Sequence, residues 1–534
     1  MKRALAALLL AGATAASFHD LEERFLELRE IHDRRRIAAG RGQLTDTEAD
    51  RCAALYHEVA DGLATGDGGP LGSADRHARD TIIRLFKEDA IPPPEADRAE
   101  PSRSGAPSCD YDPAALAEGE RGLEGLQKRL YACYSHAAGH VAFEGASYDR
   151  LTVLEMVARA DDPARRKAAF LALDPVFRSV NGDGGRNSPY RVMLPLSAAR
   201  WKAKGSPIDN NLEALGIAPE KLEPWLVAIL EAWRDLTQGA DLEPWDYEHA
   251  GNAAGRALAE PLARERLRPL NDEFYGTLGA DVKALNIHYD LEPREGKTAV
   301  AFTDFGARPR LRDGVWTSGE PWVFATYRTG GLGNLGELLH ETGHAIHIAA
   351  IRTRPAFADW PDSDTFTEAL ADLVALEAYE PEWQRRWLAR EGSLEDCLKT
   401  KYAGIVLDIA WGLFEVRLHR DPAADPNAVW TELTSRYLHV RPHPELSWWA
   451  RRGQLVHGPG YMMNYALGAI LTADMRARCR ELRGPFARPD PGYYAWLSER
   501  LFRFGLEKAS GEVIRDFLGR APSPDALLAD MRRR

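Results

Sequence analysis

The stretch "GNLGELLHETGHAIHIAAI", residues 333–351, sets two histidines and a glutamate within five consecutive positions. At about 100° per residue, His340 and His344 lie about 40° apart on one helical face, one turn above the other. Two imidazoles so placed can hold one divalent ion. Glu341 points about 100° away from His340, which suits a base acting on water rather than a ligand; this is the HExxH arrangement. Gly343 is read as removing a side chain beside the ion. Leu335, Leu338, Leu339, Ile346 and Ile348 give the helix apolar surface to bury. The same letters could belong to an ordinary amphipathic helix that carries some of the chain's 15 histidines, so the metal reading needs a third ligand. A third ligand from the same helix in the metzincin pattern, with Gly at 347 and His at 350, is excluded: the chain has His347 and Ala350.

A downstream helix supplies the other option. "SDTFTEALADLVALEAYE" (363–380) has Ser363 or Asp364 as N-cap and Leu370, Leu373, Val374 and Leu376 on its core side. Glu368 and Asp372 share one face. Glu368 can be the third ligand, and Asp372 can accept a hydrogen bond from a ligating imidazole and fix its tautomer. Glu377 lies about 180° round the helix and cannot share that role. Two carboxylates on a helix are more often a solvated face, but here their neighbours are apolar and the HExxH helix is a short connection away. Before that helix, "EPWVFATYRTGG" (320–331) is β-branched and aromatic and reads as a strand. Its edge, at Phe324, Ala325 and Thr326, is expected to bond the backbone of an extended peptide.

The rest of the chain sets limits. It has 534 residues, 45% hydrophobic and 28% charged, with a net charge of -12. That composition is globular, and the acidic balance disfavours nucleic acid as a partner. No apolar run reaches the ~18 residues that span a bilayer. "MKRALAALLLAGATAAS" orders a basic start, an apolar stretch and a small-residue site, so residues 1–15 are read as a signal peptide; the alternative is an Ala/Leu-rich helix end. Export would place the protein in the periplasm or outside the cell, and an uncleaved N-terminus in the cytoplasm. The five cysteines form no CxxC pair, and a Cys109–Cys133 bridge is open but not readable from spacing. Helical periodicity dominates, as in "DLEERFLELREIHDRRRIAA" (20–39) and "EKLEPWLVAILEAWRDLT" (220–237), while breaker-rich stretches fall at 64–75, 91–113 and 181–189. A mostly α protein with one small sheet is expected.

These motifs resemble known families. "HETGH" followed by "FTEALADLVAL" (366–376) is similar to the angiotensin-converting enzyme family. "HETGHAIH" (340–347) and "PREGKTAVAF" (293–302) resemble the thimet oligopeptidase and oligopeptidase A family. "HGPGYMMNYALGAI" (457–470) resembles the downstream segment of thimet-type enzymes and of Taq-type zinc carboxypeptidases. The resemblance implies one zinc ion on His340, His344 and Glu368, with Glu341 as general base and Asp372 behind the ligands. It also implies that His457 and Tyr461, with Tyr465 as the alternative tyrosine, donate hydrogen bonds to the scissile carbonyl. Both tyrosines could equally be packing residues of an Ala/Leu helix. The implied fold is a neurolysin-like, two-lobed helical ellipsoid with a deep channel, formed by residues 16–534 as one catalytic unit with the zinc region at about 290–480. The implied activity is zinc-dependent hydrolysis of short peptides by a monomer. The chain departs from each pattern: Leu455 stands where the converting enzymes carry a substrate-binding Lys, and Gly468 where thimet-type enzymes carry a Tyr. Endopeptidase, dipeptidyl-carboxypeptidase and mono-carboxypeptidase action therefore stay open. A helical binding protein with structural zinc is the non-enzymatic possibility. Aminopeptidase action is disfavoured, because no Met-Glu-Asn precedes residue 333, and cobalt or manganese could stand in place of zinc.

Overall fold

The computed structural model describes residues 17–43, 48–65, 71–87, 91, 109, 121–294, 297 and 301–533. The segment 1–15, read as a signal peptide, lies outside them, as does part of 293–302. The fold is mostly helical, with small sheets, as expected.

Three N-terminal helices come first: α1 (Phe18–Gly40), α2 (Ala49–Thr65) and α3 (Ser73–Lys87). Ser17 caps α1 in a reciprocal box with Asp20. The three helices share a small core of their own, built on Phe25, Leu28, Leu55, Val59 and Ile82 and closed by Ala356 and Phe357. Next come α4 (Leu123–Gly139), which a disulfide from Cys133 ties to Cys109, and α5 (Arg150–Arg159). The main core runs from Leu126 to Met531 as one continuous cluster.

Strands β1 (His288–Asp290), β2 (Phe302–Ala307) and β3 (Glu320–Phe324) form one sheet in the order β1-β3-β2. Two short hairpins, Val141–Phe143 with Ala146–Tyr148 and Arg310–Arg312 with Val315–Thr317, make further sheets, so there are three among the described residues where one was expected.

The order of strands corrects the reading of 320–331. β3 pairs in parallel with β1 (Asp290 opposite Phe324) and antiparallel with β2 (Phe302 opposite Phe324). It is the centre of the sheet, not an edge. Phe324 and Ala325 are fully buried. The Ala325 amide donates to the Asp290 carbonyl at 3.1 Å, and its carbonyl accepts from Lys297 Nζ. Thr326 follows them out of the strand. The backbone at Phe324 and Ala325, expected to meet a peptide, is thus already paired within the protein. Among the described residues, the outer strands β1 and β2 each keep one side unpaired, and of the two it is the β2 segment that lines the cavity beside His340.

Four helices complete the site's frame: α6 (Leu332–Ala350), α7 (Asp364–Ala375), α8 (Leu394–Arg420) and α9 (Met462–Arg483). α6 is buried nearly all round, which explains why its apolar residues are not confined to one stripe. The Ser363 side chain caps α7 by accepting from the Phe366 amide at 3.3 Å. α9 is fastened to α7 by the Thr365 hydroxyl, which donates to Asn464 Oδ1 at 2.9 Å, and by Arg476 on the Leu373 carbonyl. The C-terminal helix α10 (Asp525–Met531) packs against α9.

Candidate active site

α6 and α7 pack so closely that one position decides their distance. A Cβ built on Gly343 would lie 2.4 Å from the Ala371 carbonyl oxygen and 2.9 Å from its Cα. The glycine therefore serves the helix–helix approach, whereas its position in the motif suggested a gap beside a metal site. That approach brings three ligand-type side chains together. His340 Nε2 and His344 Nε2 are 3.1 Å apart, and Glu368 Oε2 lies 3.4 Å from the first and 4.0 Å from the second. The three donor atoms lie within 4.8 Å of one another. His340 Nδ1 donates to Asp372 Oδ1 at 2.7 Å and Nε2 faces Glu368 and His344; against the effect of burial, the two carboxylates hold this imidazole well above its usual range, and a metal would take the place of the Nε2 proton. Burial, helped by His340, lowers His344 to about 4, so its imidazole is neutral and able to ligate. Two imidazole nitrogens and one carboxylate oxygen converging on a point fit a zinc ion.

Glu341 stands beside this group without joining it. The Thr303 hydroxyl on β2 bonds Glu341 Oε2 at 2.7 Å and reaches the Glu341 carbonyl oxygen at 2.9 Å. Burial pushes Glu341 up to about 7, against the pull of the His340 charge and the Thr303 bond. Burial would also raise Glu368, but the bond and the charge of His340 hold it at about 2. His347 is fully buried between the rings of Trp360 and Phe502, away from the cluster.

The cluster faces a cavity of about 640 Å³, whose wall includes Ala301, Phe302 and Thr303 of the β2 segment. Tyr461 and Tyr465 line it from the start of α9, with ring centroids 5.7 Å apart. Burial raises both phenols above their ordinary range, so they stay protonated. His457 does not line this cavity; it is exposed and packs on Tyr131, with centroids 4.6 Å apart. Gly468 lines the cavity where a Tyr stands in the thimet pattern, and Leu455 is buried.

Three further residues shape the cavity. Thr303 orients Glu341, and no short motif announces it. Glu415 of α8 is fully buried, and its carboxylate accepts from the amides of Gly460 at 2.7 Å and Met462 at 3.2 Å, on either side of Tyr461. Its one signal in the sequence is a lone acid in the apolar run "GLFEV" (412–416). Arg150, at the start of α5, is the third.

No protein-family model matches the chain, and no curated protein matches it by sequence. Its fold is matched among solved structures along nearly the whole length. Metallocarboxypeptidase 1 of Trypanosoma cruzi aligns with a TM-score of 0.53 and 14% identity over 97% of this chain and 100% of the other. The M32 carboxypeptidase of Deinococcus radiodurans gives 0.51 and 17% over 96% and 97%. A Bacillus anthracis protein designated an oligoendopeptidase F gives 0.50 and 14% over 98% and 96%. The chain has the helical fold shared by these metallopeptidases, and the His340–His344–Glu368 group could hold a metal within it.

Proposed function

We propose that this protein is a zinc-dependent peptidase acting on short peptides. The observation that carries the reading is the convergence of His340, His344 and Glu368, with Glu341 beside them, at the wall of a cavity large enough for a few residues of peptide. His340, His344 and Glu368 would hold the ion, which when bound polarises the scissile carbonyl and acidifies water. A purely structural metal is a poorer fit. Among the described residues the group has three ligand side chains, and structural sites usually have four.

The chain's own groups divide the remaining work. Glu341 accepts the proton of the attacking water and returns it to the leaving nitrogen; a value near 7 suits a group that must do both. Thr303 fixes the carboxylate's direction through Oε2. Tyr461, and Tyr465 behind it, donate to the carbonyl oxygen as it gains charge. His457 would share that task only if the 457–461 segment turned inward from Tyr131. The peptide lies extended along the unpaired side of β2 at Ala301–Thr303, in place of the backbone at Phe324–Thr326. The Cys109–Cys133 disulfide supports work outside a reducing compartment.

The test is Glu341→Gln. Hydrolysis of a mixed peptide library, followed by mass spectrometry, should fall by about 10³-fold or more while one zinc per chain is retained. Unchanged hydrolysis would remove Glu341 from the mechanism.

A further inference from the structure

Arg150 is an odd residue for its position. It opens α5, where the helix dipole already presents positive charge, and its side chain reaches the wall of the cavity that holds the metal-type group. Two other guanidiniums lie close enough to oppose its charge. Both have carboxylates of their own: Arg451 pairs with Glu248 at 2.5 Å and Arg452 with Asp408. Arg150 has none among the described residues. Its neighbour Asp149 is engaged in capping α5, accepting from the Thr152 amide at 2.9 Å and its hydroxyl at 2.7 Å. A half-buried guanidinium that faces like charges and a helix N-terminus is a site built for an anion brought in from outside.

We infer that Arg150 takes the free C-terminal carboxylate of the peptide, which makes this cavity a C-terminal exopeptidase site. The inference rests on the peptidase reading for the identity of its ligand. A carboxylate matches the planar fork of a guanidinium in a bidentate pair, and the terminal one is present on every unmodified peptide whatever its sequence. Acidic side chains are present on only some peptides.

Binding separates this inference from the reading beneath it. Zinc-loaded Glu341→Gln protein is titrated with pentaalanine, its C-terminal amide, and an amidated peptide ending in Asp, and the titration is repeated in the Arg150→Gln and Arg150→Lys backgrounds. The free acid should bind at least about tenfold tighter than either amide. That preference should vanish with Gln and return in part with Lys. Equal binding of acid and amide, an unchanged preference in Arg150→Gln, no binding of any of them, or tight binding of the Asp-ending amide would each overturn the assignment. If the preference holds but the unsubstituted enzyme cleaves none of these peptides, the carboxylate site stands and the peptidase reading falls.

Discussion

At Gly343 the space available for one hydrogen sets the position of Glu368, a candidate metal ligand. Because Ala371 leaves no room for a Cβ, Gly343→Ala must move α6 and α7 apart, and Glu368 moves with α7. The substitution should cost about 1–3 kcal/mol, as overpacking does, and weaken zinc more than tenfold. Thermal unfolding and competition with a chelator of known affinity check both; zinc affinity equal to the unsubstituted protein's would show that the helices do not need this approach. The convergence of His340, His344 and Glu368 was legible because each sits in a helix whose periodicity fixes its face. Gly343 was visible but its reason was not, since the atom it avoids belongs to another helix. Thr303 and Glu415 were missed because each acts through partners distant in sequence, and Arg150 because no local pattern shows that its side chain reaches the cavity.

Between elements, the strongest coupling to the site's sheet runs through Arg308, just past β2. Its Nε and Nη2 meet Asp33 of α1 at 2.6 and 3.0 Å, and its Nη1 reaches the Ala358 carbonyl at 2.6 Å and Asp359 at 3.1 Å. All three side chains are buried, so removing the cation leaves two carboxylates without their full charge partner. Arg308→Ala should destabilise the protein by about 3–5 kcal/mol and release α1–α3 to protease before the rest. Denaturant titration with timed proteolysis reads both, and a loss under about 1 kcal/mol would show that α1 is held by its apolar core alone. At this scale the sequence located the strand before α6 but misplaced it in the sheet. Composition marks a strand; which neighbours pair with it is decided by β1 and β2, and their order is not written in any local pattern.

Across the whole molecule, the C-terminal helix is clamped to the core by charge. Glu380 pairs with Lys401 of α8 at 3.0 Å and with Arg533 at 2.8 Å, and Lys401 also meets Asp530 of α10 at 2.7 Å. Burial would raise Glu380, but Lys401, Arg476 and Arg533 outweigh it and hold the carboxyl at about 2. A carboxyl whose pKa is depressed by folding gives its full stabilisation above its ordinary value near 4.5 and loses it as pH falls toward 2. Stability should therefore decline through that window by up to about 3 kcal/mol from this group, and Glu380→Gln should flatten the decline. Unfolding curves between about pH 2 and 6 check it, and identical slopes for the two proteins would exclude Glu380 as a source. The sequence by itself determined the helical class and the grouping of the metal-type triad with Glu341 beside it, because 3.6-residue periodicity turns spacing into direction within a helix. Only the tertiary structure decided which strands keep an open side, why residue 343 is glycine, where His457 lies and which cation faces the cavity unpaired. Those depend on pairings between distant segments, and a one-dimensional pattern records the residues of such a pair without recording that they meet.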